Sequence, residues 1–192
     1  MAPVATNLIA GPATLWRADF GATEAADTAV ATEPTDPFVD LGGTNDGVSY
    51  VVDREFHALT IDQVTMAVGR RKTKNDVSIS TNLAEPTLEN WALALNQAAS
   101  SVTSGGTGAT AYKALELETG DAGDEPEYSC VLLRGRAPNG KKRNVIIRKA
   151  LSIESVESAY KKDEQTLIPV TFTAHWISAS IKPVKWVDST AV

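Results

Sequence analysis

Cysteine, histidine and long apolar runs are all scarce in this chain of 192 residues. The single cysteine, Cys130, excludes an intramolecular disulfide, and its setting in Tyr-Ser-Cys-Val-Leu-Leu reads as a small apolar residue on a strand. The two histidines, His57 and His175, are far apart, and no Cys-x-x-Cys or His-x-x-x-His spacing exists to seed a zinc centre. No window approaches the roughly 18 apolar residues of a membrane-spanning helix. The start, Met-Ala-Pro-Val-Ala-Thr-Asn, lacks a positive region followed by an apolar stretch, so no secretory leader is expected and assembly in the cytosol is. Gly105-Gly106 and Gly108 are not followed by a helical pattern, which argues against a phosphate-cradling loop. Asp121-Ala-Gly-Asp124 lacks the ligand periodicity of a calcium loop. Catalytic residues: none; metal ligands: none; cofactors: none. The expectation is a protein that works by interaction and not by catalysis.

Positive charge is also in deficit. The net charge of -6 does not suit a surface that grips nucleic acid. The signs are segregated. Between Asp19 and Asp62 the only base is Arg54, and a second acidic run holds Glu116, Glu118, Asp121, Asp124, Glu125 and Glu127. Bases gather at Arg70, Arg71, Lys72 and Lys74, in what reads as a charged loop over Gly69–Asn75, and again from Arg134 to Lys149. Opposite patches on one chain can dock copies head to tail. On this reading Arg70, Arg71, Lys72 and Lys74 meet Asp121, Asp124, Glu125 or the carboxylates of 19–40 on a neighbour.

What the chain does have is β pattern. The 43% apolar content supports one large domain over residues 1–192. Residues 7–20 read as extended, and 21–37 as a long loop that orders on assembly. Asn45-Asp46-Gly47 reads as a tight hairpin turn, followed by strands at 48–57, 59–66 and 76–83. In the last, Val77, Ile79, Thr81 and Leu83 alternate with Ser78, Ser80 and Asn82, the period of a half-buried strand. One helix is expected at about 86–98, with Pro86 in its first turn and Leu88, Trp91, Ala92 and Leu95 as its packing face. The Ser/Gly/Thr-rich 100–110 reads as a flexible connection, and 111–118 and 127–136 as strands. Pro138-Asn139-Gly140 is a turn. Strands at 144–158 and 165–177 form a long C-terminal hairpin, with Pro169 marking a free edge or a bulge, before a short tail at 179–192. Thr171 and Thr173, with Ser78 and Ser80, are candidates for a polar sheet face. The fold class is mainly β: two packed antiparallel sheets, as a β-sandwich or near-barrel, flanked by a single helix.

Three elements in this order carry a resemblance: Leu41-Gly-Gly-Thr-Asn-Asp-Gly-Val; Val77-Ser-Ile-Ser-Thr-Asn-Leu-Ala-Glu-Pro-Thr-Leu-Glu-Asn-Trp-Ala-Leu-Ala-Leu; and Ile168-Pro-Val-Thr-Phe-Thr-Ala. Over roughly residues 7–178 the chain resembles the major tail tube proteins of long-tailed phages with non-contractile tails. The resemblance implies homohexameric rings that stack into a tube around a tape-measure protein, in the virion tail. Through that tube DNA passes into the host cell without specific binding. A tail terminator or contractile-type inner tube of the same fold, and a solitary β-sandwich binding module, are the alternatives.

Overall fold

The computed structural model describes residues 4–117 and 125–190. The chain is mainly β with one α-helix, as the sequence pattern leads one to expect. Its strands are β1 (Thr14–Asp19), β2 (Val39–Asp40), β3 (Thr44–Ile61), β4 (Val64–Leu83), β5 (Val102–Gly105), β6 (Tyr112–Leu115), β7 (Ser129–Arg136), β8 (Lys142–Ser152), β9 (Ile168–Ala174) and β10 (Val184–Asp188). The helix, α1 (Leu88–Ala94), lies between β4 and β5. One continuous antiparallel sheet runs β2-β1-β7-β8-β9-β4-β3, with β10 joined to β8, and β5 with β6 forms a second, small sheet.

The large sheet is curled. Laid flat, the six spacings from β2 to β3 would cover about 29 Å. Yet Asp40 of β2 and Thr44 of β3 are joined only through Leu41, Gly42 and Gly43, a reach of about 14 Å at most. This strap is hydrogen-bonded on both sides. Leu41 N–H donates to Leu15 C=O of β1 at 3.0 Å, and Ala84 N–H donates to Gly43 C=O at 2.8 Å. Gly43 N–H donates to Glu85 Oε1 at 2.9 Å, and the buried Asn90 side chain donates to Leu41 C=O at 3.0 Å. Two of the sequence elements behind the resemblance, Leu41-Gly-Gly and Ala84-Glu85-Pro86, thus touch each other.

Curling brings Leu15, Val131, Leu133, Val145 and Ile147 into one core with Ile79, Leu83, Ile168, Val170 and Phe172. The alternation expected in β4 is present: Val77, Ile79, Thr81 and Leu83 are buried and the residues between them are half-buried. β7 and β8 lack that alternation because both their faces are covered. Cys130, Leu132 and Ile146 point the other way and pack with Ala18 and Phe38 in a second cluster. Strands covered on both sides read as continuous apolar runs.

The segment 21–37 supplies that outer cover, so it is not a free loop. Val30, Pro34 and Phe38 are buried, Arg134 donates to Ala31 C=O at 2.8 Å, and Glu24 pairs with Arg148 and Lys185. The helix is also shorter than expected, running over 88–94 instead of 86–98. Thr87 is its N-cap and accepts from Asn90 N–H, which leaves Pro86 outside. It stops at Leu95 because Asn96 takes a left-handed backbone (φ 56), with Gln97 N–H returning to Ala92 C=O at 2.7 Å. Asn96 then bonds both backbone groups of Ser152, at 2.6 and 2.7 Å. Of the expected packing face, Ala92 is buried while Leu88, Trp91 and Leu95 are half-buried; Asn90, Leu93 and Ala94 complete the buried stripe.

Other expectations need correction. Asn45-Asp46-Gly47 is no hairpin turn but a bulge inside β3, with Asp46 and Gly47 at φ 62 and 76. The 100–110 connection contains β5, which pairs with β6. The C-terminal hairpin is short, since β8 meets β9 only at Ala150–Ser152. The remainder of that β8 edge belongs to β10, so 179–192 supplies a strand and is not simply a tail. Pro169 sits where β9 pairs with β4 but has run beyond β8, so one side of β9 is free at that position. Pro138-Asn139-Gly140 forms the β7–β8 turn, with Asn139 and Gly140 at positive φ.

Gly42 tests the strap. Its φ is +81, and a Cβ there would lie 2.3 Å from the Glu85 carboxylate. Gly42→Ala is therefore expected to lower unfolding free energy by about 2 kcal/mol in urea, combining backbone strain with the lost Glu85 bond. An unchanged midpoint would mean that the strap does not constrain the sheet.

Candidate assembly surface

β3 and β4 pair with each other over almost their whole lengths, but β9 covers β4 only from Ser78 to Leu83. Beyond Val52 and Val77 the two strands leave the body as a ribbon. It reaches the Asp62–Gln63 turn after about 30 Å at 3.3 Å per residue. The charged stretch Gly69–Asn75, expected as a loop, is therefore paired strand: Leu59 faces Gly69, Ala58 faces Arg70, His57 faces Arg71 and Glu55 faces Lys74. Within the ribbon neither strand has a second neighbour among the described residues, so both its edges present unpaired backbone groups. Long free edges of this kind are templates for another chain.

The ribbon's two faces differ. Cross-strand partners share a face. One face carries Val52 with Val77, Arg54 with Asn75, Phe56 with Lys72, and Ala58 with Arg70. The opposite face carries Ser49 with Ser80, Val51 with Ser78, Asp53 with Asp76, Glu55 with Lys74, and His57 with Arg71. The four basic residues expected to act together are thus split, Arg70 and Lys72 from Arg71 and Lys74. Lys74 is already neutralised within the chain. Its ammonium lies 3.1 Å from both Asp53 and Asp76 and 3.9 Å from Glu55, and hydrogen bonding to Asp53 and Asp76 raises its pKa. Of the expected acidic partners, Asp121 and Asp124 lie outside the described residues. Glu125 is exposed and lines a depression of about 740 Å³ with Arg17, Asp19, Phe20 and Tyr128. There burial lowers the pKa of the Arg17 guanidinium, opposed by Asp19 and Glu89. Among the carboxylates of 19–40, Glu24 and Asp27 pair with Lys185, and Glu33 lies 3.9 Å from Arg134.

The hydroxyl face is the sequence expectation the structure brings together. Ser80 stands beside Thr171 and Ser78 beside Thr173, and Ser49 extends the row into β3. This outer face of β3, β4 and β9 continues into Asp53, Asp76, Glu55 and Lys74, a net charge of −2.

Two features escaped sequence reasoning. The ribbon tip is apolar: Leu59, Ile61, Val64, Met66 and Val68 are all exposed, Met66 at 76%. At the ribbon's root, Trp186 of β10 packs edge-on against Tyr50 with ring centroids 5.3 Å apart. β10 is fastened beside this contact by a two-pronged bond from Arg143 to the Asp188 carboxylate, at 2.6 and 2.7 Å. The alternation of 64–68 was the one signal for an edge strand at the tip. Nothing in the sequence places Trp186 opposite Tyr50.

These features enlarge the surface. A compact monomer of 20.4 kDa exposes about 8,800 Å². This chain exposes 12619 Å², about 3,800 Å² more, to which the ribbon contributes together with the exposed stretches at 4–12 and 153–165. Cys130 takes no part, being buried with its thiol pushed up to about 12, mainly by desolvation. No helix among the described residues is long and apolar enough to cross a membrane. No protein-family model matches the chain, and no curated protein is significantly similar to it.

Since no core side chain comes from residues 55–74, their excision, with Arg54 and Asn75 joined by an Asn-Gly turn, should leave unfolding free energy within about 0.5 kcal/mol. A large loss would show that the ribbon supports the body. Hydrogen bonding to Arg143 holds the Asp188 carboxyl below its ordinary value. The pair's stabilisation is present above about pH 4 and is lost as pH falls through the folded pKa. Stability measured from pH 5 down to 2 should therefore fall less steeply in Asp188→Asn than in the native chain; equal slopes would dismiss the contribution.

Proposed function

We propose that this chain is a structural protein of a phage virion, forming homohexameric rings that stack into the tail tube. The observation that carries the proposal is the ribbon: an arm with two open edges and an apolar tip, projecting from a body that needs none of it for its core. Ring formation covers those edges with strands of neighbouring copies, satisfying backbone groups that a lone monomer leaves to water. Because the two ends of such a ring differ, stacking is heterologous and continues as a filament. The sequence resemblance supplies the sixfold symmetry, the tape-measure protein inside the growing tube and the later passage of DNA.

The outer face of β3, β4 and β9 is the surface proposed to line the channel. Its hydroxyl rows and the surplus of carboxylates at Asp53, Glu55 and Asp76 offer phosphates no free cation, since Lys74 is held among those acids and Arg71 lies farther along the ribbon towards its tip. DNA then slides without being gripped. The protein acts by assembly, with no catalytic role and no cofactor.

Negative-stain microscopy of the concentrated, purified protein tests this directly. Hollow filaments of uniform width are expected. Rings that never stack would indicate a terminator instead, and dispersed monomers at every concentration would sink the proposal.

A further inference from the structure

The ribbon carries an apolar knob at one end and an apolar hollow at the other. The knob is Leu59, Ile61, Val64, Met66 and Val68, between 46% and 76% exposed, with Asp62 at its turn. The hollow is a groove of about 330 Å³ at the root, walled by Tyr50, Val52, Val77, Val184 and Trp186, with Arg54 and Asn75 at its side. Trp186 spends one edge on Tyr50 and leaves 59% of its surface open. Arg54 has no ion-pair partner among the described residues, because its neighbours Asp53 and Glu55 occupy the other face of the ribbon. Asp62 is likewise without one.

We propose that the tip of one copy seats in the root groove of a second copy, with Asp62 of the first meeting Arg54 of the second. This rests on the self-assembly reading and names the contact that reading requires. The occupant cannot be the chain's own tip. Knob and groove belong to the same paired ribbon, held about 30 Å apart by the cross-strand ladder. The occupant is a second copy because knob and hollow complement each other twice, apolar to apolar and carboxylate to guanidinium. Each copy offers one knob and one groove, so the contact is head to tail and propagates from chain to chain. Removing water from the Asp62–Arg54 pair beside Trp186 strengthens it relative to an exposed pair.

The test uses the full chain and two readouts. In the first, Met66→Cys and Val184→Cys proteins are mixed under assembly conditions and treated with a short bis-maleimide; the native Cys130 is buried and does not compete. A covalent dimer between the two variants is expected, with none from either variant alone. In the second, Arg54→Glu and Asp62→Arg are each expected to raise the critical concentration for sedimentable polymer at least about tenfold, and the double variant to restore it. Three results would overturn the docking: self-dimers of Met66→Cys, filaments that form without the mixed dimer, or a double variant that polymerises no better than the singles. Filaments without the mixed dimer would leave the tube proposal standing. No polymer from the native chain under any condition would remove both.

Discussion

The three-residue strap from Leu41 to Gly43 is the constraint on which the architecture depends. It joins strands that stand at opposite ends of the sheet order, so the sheet has to curl and its inner face has to become a closed core. The strap needs glycine at position 42 because its φ of +81 and the nearby Glu85 carboxylate exclude a Cβ. It also needs Glu85 and Asn90, which take up the Gly43 N–H and the Leu41 C=O that the turn would otherwise leave bare. The position of α1 follows from the same requirement: its first turn carries Asn90 to the strap and its next turn brings Leu93 and Ala94 to the core.

Once the sheet is closed near Thr44 and Leu83, the far halves of β3 and β4 have nothing to close on. β9 ends its pairing at Ser78 and β10 follows β8 instead, so the ribbon runs on alone. That geometry gives the chain its open edges and an apolar tip far from its own core. A monomer with these features carries a standing hazard of edge-to-edge association. On the proposed reading the association is the function, and the hollow beside Trp186 gives it direction.

Much of the body was legible in the sequence. Alternation in 77–83 marks the buried face of β4, Pro138-Asn139-Gly140 the β7–β8 turn, and the apolar stripe after Pro86 the helix. Alternation is local, and strands with one solvated face write it plainly. What depends on distant partners was not legible. Residues 21–37 look like a solvated loop because their buried apolar residues are few, Val30 and Pro34 with Phe38 just beyond, and no local pattern announces the sheet face they lie near. The end of the helix at Leu95 is not legible because nothing local marks the left-handed backbone of Asn96. The basic run at 70–74 looks like a loop because charge suggests solvent, and a ribbon exposed on both faces is solvated along most of its length. Splitting its four bases between two faces depends on the register, which the sequence does not fix for a two-sided polar strand.

The central claim is that other copies of this chain cover the ribbon's open edges. Hydrogen–deuterium exchange of the amides in 53–75, compared between dilute and concentrated protein, measures that most directly. The account predicts rapid exchange of the outward-facing amides in the dilute state and strong protection in the concentrated one, while the amides of β7 and β8 stay equally protected in both. Exchange in 53–75 that is the same at both concentrations, in a sample shown to contain polymer, would contradict it.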